Sequence, residues 1–340
     1  MTISRAMLWA VGTALLATPA QAAWQDSPEI QALYQQAKAE GSVAVWGTTG
    51  GAVDWIPKAF TALFPGIDVQ FHGDNDIATK AISEARAGRH QVDVYLHSLT
   101  GTLPLVQRDL IATIDWAGFG VPKDQIIFGG KAAYTYNIAY TVAYNSERVK
   151  PDEVPTRWAE VTDPKYKGKT VSSLFLLPRL VGALSLTWGK EKAIQYARDV
   201  TVANATLLTR APREPIITSG ERLYGIGEID SQVMRWQKSG MKIAWVIPEP
   251  VVLGQFDVAI LAKAPHPNAA RLLAGWLVSP DGKKAQESAV LTNDFGPTGT
   301  LDIARKMQAK QVEVIYDTVA LMEQRERAIA EMGPIVSGQK

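Results

Sequence analysis

Three arginines in the second half of the sequence have the type and spacing to bind an anion. Arg179 stands at the predicted start of a helix, and Arg210 and Arg213 stand on either side of a proline in one loop. A guanidinium donates paired hydrogen bonds to a carboxylate or phosphate, and a helix N-terminus adds backbone N–H groups and a favourable dipole. The pattern predicts a site for a small organic anion. The alternative is that each arginine is a surface cation paired with a nearby acid such as Glu214.

Tyrosine, acidic and histidine side chains form a second set of candidate ligands. Such oxygen and nitrogen donors could bind a metal ion, although no two histidines have the short spacing typical of a metal site. A carboxylate facing the anion site would require a ligand that also carries a positive charge. Tyr224 could equally be a buried aromatic residue, and Asp230 could cap or charge the first turn of a helix. The set consists of His72, His97, Tyr224, Glu228 and Asp230.

Motifs of common hydrolase sites are absent from the sequence. It contains neither the Gly-x-Ser-x-Gly turn of serine hydrolases nor the His-Glu-x-x-His pair of zinc proteases. The chain has no cysteine, which excludes disulfide bonds, thiolate nucleophiles and cysteine-bound metals. We therefore expect no catalytic residue, no cofactor and no metal site. An enzyme remains the alternative to a binding protein, since fold and function are not tied together.

Strand-like and helix-like patterns alternate along the first hundred residues. The strand-like runs are 42–47, 67–71 and 92–96, and the helical periodicities are 29–40, 55–63 and 77–87. Three strand–loop–helix units in succession predict a parallel sheet covered by helices, with ligands bound beyond the carboxyl ends of its strands. The polar residues expected at this rim are Thr48, Thr49, Asn75, Asp76, His97 and Ser98.

The alternation continues through the rest of the chain without an internal repeat. Two of the later strand-like runs, 138–145 and 256–264, are largely apolar, as expected of strands buried on both faces. A helical stretch over 311–332 follows near the end of the sequence. The other predicted strands are 170–173, 224–227 and 243–246, and the other helices are 174–188, 189–203, 231–239 and 269–277.

Composition and charge indicate a globular protein that does not bind nucleic acid. Hydrophobic residues make up 46% of the 340 residues, which is too many for a disordered chain. The 35 basic residues are balanced by 34 acidic ones, and no basic run is present. The electrostatic attraction that dominates nucleic-acid binding is therefore missing.

Residues 1–22 have the pattern of a cleavable secretory signal. Arg5 precedes an apolar run at 7–17 that is too short to span a bilayer. The segment ends in Ala20-Gln21-Ala22, a small-x-small pattern that predicts cleavage after Ala22. We expect the mature protein in the periplasm, without insertion into the membrane. An uncleaved anchor helix is the alternative.

Several local motifs, in order along the chain, resemble one protein family. They are 139–145 (AYTVAYN), 155–169 (PTRWAEVTDPKYKGK), 248–250 (PEP), 264–270 (APHPNAA) and 278–282 (VSPDG). With these motifs the sequence resembles the type II periplasmic solute-binding proteins of ABC importers, in the group that contains ferric-ion, thiamine, aminoethylphosphonate and sugar-phosphate binders. The resemblance implies an α/β fold of two lobes, joined by two hinge strands, with the ligand in the cleft between the lobes.

Domain boundaries and partners follow from that resemblance. The crossing segments would be 138–145 and 256–264. The implied first lobe is 24–140 plus 256–300, the second lobe is 141–255, and helices in 301–340 pack across both. The expected partners are a small-molecule ligand and an ABC permease in the inner membrane, and the protein is expected to be a monomer.

Ligand identity is the least determined part of the resemblance. The ferric-ion binders of this group use two adjacent tyrosines in the second lobe, and the corresponding stretch here is 224–230 (YGIGEID), which has one. We therefore expect an organic anion, namely a carboxylate, a phosphonate or a phosphorylated compound. The expected contacts are the rim residues above with Arg179, Arg210, Tyr224 and Glu228. The alternative is ferric iron held by Tyr224, Glu228 and His97.

Overall fold

The computed structural model describes residues 23–48, 53–74, 76–290, 302–316 and 318–336. The predicted signal segment, Thr49 and Asn75 lie outside these ranges. The helices are α1 (Pro28–Glu40), α2 (Ile56–Leu63), α3 (Ile77–Arg86), α4 (Leu99–Val106), α5 (Leu176–Trp188), α6 (Lys190–Arg198), α7 (Glu214–Ser219), α8 (Asp230–Lys238), α9 (Pro267–Val278), α10 (Pro280–Val290), α11 (Asp302–Gln308) and α12 (Met322–Val336).

The strands form one mixed sheet in the order β2-β1-β3-β10-β5-β8-β6-β7, with β4 and β9 paired to β5 and β11 paired to β10. The strands are β1 (Ser42–Gly47), β2 (Asp68–Gly73), β3 (Val94–Ser98), β4 (Ile126–Ile127), β5 (Ala132–Asn145), β6 (Thr170–Ser173), β7 (Leu207–Thr209), β8 (Tyr224–Ile229), β9 (Ile243–Val246), β10 (Val251–Ile260) and β11 (Val314–Tyr316).

The first half-sheet consists of β1 to β3, which are the predicted parallel unit, together with β10, which is antiparallel to β3, and the start of β5, which is antiparallel to β10. Strand β1 pairs in parallel with β2 on one side and with β3 on the other. Val43 and Val45 of β1 are fully buried in a core that also contains Phe60 of α2 and Trp276 of α9. Helices therefore cover this face of the half-sheet, as the alternating pattern predicts.

The second half-sheet, β6 to β9 with the end of β5, is built from the chain between the two long strands. Strand β6 pairs in parallel with β7 and with β8, whereas β8 and β9 pair antiparallel with β5. Leu180 and Leu184 of α5 and Trp158 are fully buried in its core. Each half-sheet therefore has its own hydrophobic core.

Strands β5 and β10 connect the two half-sheets. Residues 132–139 of β5 pair with β10, and residues 140–144 of the same strand pair with β8. On β10, Val252 lies in the second core and Val258 lies in the first. The prediction of two crossing strands is confirmed, although β5 begins at Ala132 and β10 spans 251–260 instead of 256–264.

The described C-terminal segments contact both half-sheets. Met322 lies in a cluster with Trp46 and Tyr95 of the first half, while Met332 lies in the core of the second half. Strand β11 pairs in parallel with β10. The predicted helix over 311–332 differs from the structure here, because Val-Ile-Tyr at 314–316 is a β-prone run that completes the sheet beside β10.

Several elements end where the sequence places a capping residue. The side chain of Ser27 accepts a hydrogen bond from the backbone N–H of Ile30 at the start of α1, and Gly41 ends that helix with a φ of 73°. Ser173 orders the turn that leads into α5, because its hydroxyl accepts from the backbone N–H groups of Phe175 and Leu176 at 3.0 and 3.2 Å. These caps stabilise helix ends whose N–H groups have no partner within the helix.

Helices α5 and α12 approach each other closely at Gly182. A Cβ at this position would lie 2.7 Å from Cγ1 of Ile329 and 3.3 Å from its backbone nitrogen. Gly182→Val should therefore lower the free energy of unfolding by about 1–3 kcal/mol, because the helices must separate to make room. Urea unfolding measures this change.

Gly333→Ala in α12 is the matched control, since its Cβ meets no atom within 4 Å. It should unfold near the wild-type midpoint. A Gly182→Val variant as stable as the wild type would contradict the close helix contact.

Candidate functional site

The carboxyl ends of the parallel strands in both halves point toward the crossing strands. Ser98, the last residue of β3, pairs with Phe256, whereas Val94 at the start of β3 pairs with Ile260. In the second half, Ile229 at the end of β8 pairs with Tyr140, next to the point where β5 changes partner. Both rims therefore meet at the crossing, which is where an α/β sheet binds its ligands.

The first rim contains the described polar residues that the sequence predicts for it. Thr48 follows β1 directly and is half-buried, and Asp76 is exposed ahead of α3. The backbone N–H of Asp76 donates to Oδ1 of Asp74 at 3.1 Å. His97 and Ser98 end β3, so these four side chains follow the ends of three adjacent strands.

His97 is held tightly at this rim. Its Nδ1 accepts a hydrogen bond from the backbone N–H of Ser98 at 2.8 Å, and its ring stacks on Tyr95 with centroids 5.6 Å apart. Gly101 of α4 makes this placement possible, because a Cβ there would lie 2.0 Å from Nδ1 of the His97 ring. Burial lowers the pKa of His97 to about 4, so the ring is neutral near pH 7.

On the second rim, Arg179 stacks on the exposed ring of Phe175. The guanidinium carbon lies 3.4 Å from the ring centroid, and Nη1 donates to the Phe175 carbonyl oxygen at 3.0 Å. Burial lowers the pKa of Arg179, with Tyr140 and Glu326 acting in the opposite direction. Within the described ranges Arg179 forms no salt bridge, so its charge is available to a ligand.

Arg210 is exposed directly after β7, at the carboxyl end of a strand parallel to β6. It has no hydrogen bond or salt bridge to any residue in the described part of the chain. The adjoining loop is ordered by Thr209, whose Oγ1 accepts from the backbone N–H of Ala211 at 2.9 Å. The structure thus places Arg210 at the rim without a protein partner.

Arg213 has a different environment, because it forms a buried ion pair with Glu228. Nε donates to Oε1 at 2.6 Å and Nη2 donates to Oε2 at 2.9 Å, while Glu228 is fully buried and Arg213 is 8% exposed. Burial opposes the charge on Arg213, but the hydrogen bonds to Glu228 outweigh it and raise the pKa of the guanidinium. Both oxygens of the Glu228 carboxylate therefore accept a hydrogen bond from Arg213.

Tyr224 lies in the second core. It is 5% exposed and packs edge-on against Tyr166, with ring centroids 5.2 Å apart at 87°. Burial raises the pKa of Tyr224 to about 12, which disfavours the phenolate form that a metal ion would require. This is the buried aromatic alternative considered from the sequence. Across the described residues, no group of three His, Cys, Asp or Glu side chains could hold a metal ion.

Of three further residues at the crossing, Asp230 was considered from the sequence as a first-turn residue, whereas Tyr136 and Phe256 were not singled out. Asp230, the fully buried first residue of α8, accepts a hydrogen bond from the Ala139 N–H at 3.1 Å, so its first-turn position matches the sequence interpretation. Tyr136 and Phe256 stack across β5 and β10 with centroids 4.6 Å apart. That Tyr136 lies opposite Phe256 follows only from the strand register, which the local sequence does not give.

The sequence profile of a family described as bacterial extracellular solute-binding protein matches residues 45–284, which is more than half of the chain. The chain belongs to this family. Members are solute-binding subunits of ABC importers, so a small-molecule ligand and an ABC permease are the partners, and the family implies a periplasmic location. No curated protein sequence matches the chain.

Solved structures share the fold at low sequence identity. Iron-bound HitA from Pseudomonas aeruginosa is 17% identical with a TM-score of 0.70, covering 86% of this chain and 99% of that one. The substrate-binding protein of an ABC transporter from Agrobacterium tumefaciens is 15% identical with a TM-score of 0.72, covering 88% and 96%. Ferric iron-binding protein A of Mannheimia haemolytica, in an open conformation, is 17% identical with a TM-score of 0.67, covering 88% and 98%.

These structures show that the fold is the two-lobed, type II periplasmic-binding-protein fold. The two half-sheets accordingly belong to the two lobes, and β5 and β10 are the two strands that connect them. Among the described residues, no helix combines the length and apolar character that crossing a membrane requires.

Removing Glu228 should destabilise the second lobe strongly. Glu228→Ala leaves the Arg213 charge buried without its partner, which costs about 3–5 kcal/mol of unfolding free energy. Urea unfolding at pH 7 measures the loss. The double variant Arg213→Met with Glu228→Leu should recover most of it, because two apolar side chains carry no desolvation penalty. A loss below about 1 kcal/mol for Glu228→Ala would show that the pair is not buried as described.

The low pKa of His97 predicts a pH dependence of stability. The unfolded His97 binds a proton as the pH falls below about 6.5, whereas the folded one does so only near 4, so stability is lost over this interval. NMR titration of the ring Cε1–H should give a pKa near 4. His97→Asn should unfold with a smaller loss of stability between pH 7 and 4. A measured pKa near 6.5 would contradict the burial of the ring.

Proposed function

We propose that this solute-binding subunit captures a small organic anion, such as a carboxylate, a phosphonate or a phosphorylated compound, and delivers it to the permease. The observation that carries the proposal is Arg179, a half-buried cation at the cleft without a carboxylate partner among the described residues. Taking a charge out of water is costly unless a partner compensates it. An anion in the cleft supplies that compensation.

Arg210 strengthens the proposal from the same rim. It follows the carboxyl end of β7, and Arg179 follows the carboxyl end of the adjacent β6, so both guanidinium groups belong to one edge of the second lobe. Two guanidinium groups at one edge can each donate paired hydrogen bonds to the same anionic group. Ser98 and Thr48 of the first rim offer hydroxyl groups from the opposite side of the cleft.

Contacts from both lobes favour the closed arrangement. A ligand that binds arginines of the second lobe and hydroxyls of the first is bound more tightly when the lobes approach, so it shifts the population toward closure. In this proposal the closed protein, a monomer, is what the permease binds. The protein acts without catalysis after cleavage of its signal segment, with lobes of approximately the extents expected from the sequence.

Ferric iron is the second candidate ligand, because several solved structures with this fold are described as iron-bound or as ferric-binding proteins. The three residues of this alternative have other surroundings here. Tyr224 is buried against Tyr166, Glu228 is paired with Arg213, and the Nδ1 of His97 is occupied by the Ser98 N–H. Iron would therefore have to be bound by other groups or together with a small anion held by Arg179.

Native mass spectrometry of the protein purified from periplasm tests the two candidates directly. A binder that releases its ligand slowly retains it through purification. A mass excess equal to an organic acid or phosphorylated compound is the expected result. An excess equal to iron, with a visible phenolate absorption band, would overturn the proposal in favour of the metal.

Arginine variants test the site itself. Arg210→Ala should weaken binding of the anion found by mass spectrometry at least tenfold, and Arg179→Ala should do the same, since each removes a charged donor. Arg271→Ala is the control, because Arg271 is an exposed arginine on α9, in the helical layer of the first lobe. Calorimetric titration measures the affinities. Unchanged affinity in Arg210→Ala would remove that residue from the site.

A further inference from the structure

Phe175 lies directly against Arg179, the cation on which the proposed function depends. The residue precedes α5, and it is 60% exposed. The guanidinium carbon of Arg179 lies 3.4 Å from the ring centroid. At this distance the two planes must be nearly parallel, because a strongly tilted guanidinium would bring a nitrogen into the ring. Cation–π attraction therefore holds the guanidinium flat on one face of an exposed ring.

A second contact with the same residue limits rotation of the guanidinium within its plane. Nη1 of Arg179 donates a hydrogen bond to the backbone carbonyl oxygen of Phe175 at 3.0 Å. The ring restricts tilting, and the hydrogen bond restricts turning on the ring. Phe175 thus constrains the Arg179 side chain in two ways, through its ring and through its backbone.

The turn that carries Phe175 is anchored to the sheet. Ser173, the buried last residue of β6, pairs with Thr209 of β7. Its hydroxyl accepts hydrogen bonds from the backbone N–H groups of Phe175 and Leu176 at 3.0 and 3.2 Å. A hydroxyl that bonds to the following backbone in this way fixes a turn. The ring is therefore joined to a rigid strand through a short, ordered segment.

One edge of the Arg179 guanidinium is left for a ligand. Among the described residues, Nε and Nη2 have no hydrogen-bond partner. Their N–H groups are parallel and match two oxygens of a carboxylate or a phosphoryl group. Two charges of α12 act on Arg179 from a distance, since Glu326 attracts it and Arg325 repels it. Glu326 is exposed, so solvent screens its attraction.

An arginine that is already ordered binds an anion at a lower entropic cost. A free arginine side chain has several rotatable bonds, and fixing them on binding reduces the affinity. The contacts with Phe175 fix them before the ligand arrives. We propose that Phe175 is a positioning residue, which holds the Arg179 guanidinium in one orientation with its Nε–Nη2 edge left for two oxygens of the anion. The inference rests on the proposed function, because it concerns the same site.

Side-chain ¹⁵N NMR of the ligand-free mature protein tests the positioning before any anion is added. The Nε–H peak of Arg179, assigned by its loss in Arg179→Lys, should have an order parameter above about 0.6 and an upfield shift caused by the ring. Phe175→Leu should abolish the shift and make the group as mobile as the exposed Arg271. Phe175→Tyr should retain both properties, since it retains the ring.

Titration with sodium acetate and with inorganic phosphate tests the effect on binding. The backbone amide peaks of residues 173–179 should shift saturably. Phe175→Leu should weaken binding about three- to tenfold, whereas Phe175→Tyr should bind as the wild type does. In an Arg179→Lys background, Phe175→Leu should have no further effect, because the stacked guanidinium is already gone. Phe71→Leu is the matched control, since it removes an exposed phenyl ring from β2 of the first lobe.

Three results would overturn the positioning role. They are a mobile Arg179 Nε–H group in the wild type, equal rigidity of this group in Phe175→Leu, and undiminished anion binding by Phe175→Leu. Urea unfolding of Phe175→Leu should stay near the wild-type midpoint, so a weaker affinity is not a loss of folding. Absence of saturable shifts with both anions in the wild type would count against the proposed anion site instead. The ligand-free comparison of Phe175→Leu with Phe175→Tyr would still decide the role of Phe175.

Discussion

The antiparallel pairing of β5 with β10 is the interaction on which the rest of the molecule depends. It joins Ala132 to Ala139 of one strand with Leu253 to Ala259 of the other, and both half-sheets grow outward from it. The register shifts between Phe256 and Asp257, beside the stack with Tyr136. A bulge bends a strand and increases its local twist, so this irregularity changes the course of the paired strands next to the crossing.

Charge at the rim of the second half-sheet depends on which arginine forms an ion pair inside the protein. Glu228 neutralises Arg213 beneath the rim, and this pair holds the loop after β7 against β8. Arg210, three residues earlier in the same loop, is left at the surface. The buried ion pair of Arg213 and Glu228 therefore fixes the loop that carries the exposed Arg210.

The local sequence pattern was sufficient to predict most of the helices and strands, but it was not sufficient to predict the contacts between them. Strands β1, β6 and β9 have the bounds predicted from the sequence, because each is a short run with β-branched residues bounded by turn-forming or polar residues. The beginning of β5 was missed, since Tyr134, Tyr136 and Asn137 interrupt the apolar run. Residue type alone does not specify strand register. The ion pair between Arg213 and Glu228 and the burial of Tyr224 both depend on that register.

The way in which the chain enters and leaves the second lobe has a consequence for how the protein acquires its structure. Strands β6 to β9 pair with one another and with β5, so every strand of this sheet lies in one continuous stretch of sequence. Strand β3, by contrast, pairs with β10, which lies much later in the sequence. Local contacts form at lower entropic cost than distant ones. The strands of the second lobe can therefore pair before β10 is made, whereas the core of that lobe is completed only when Met332 of α12 packs into it.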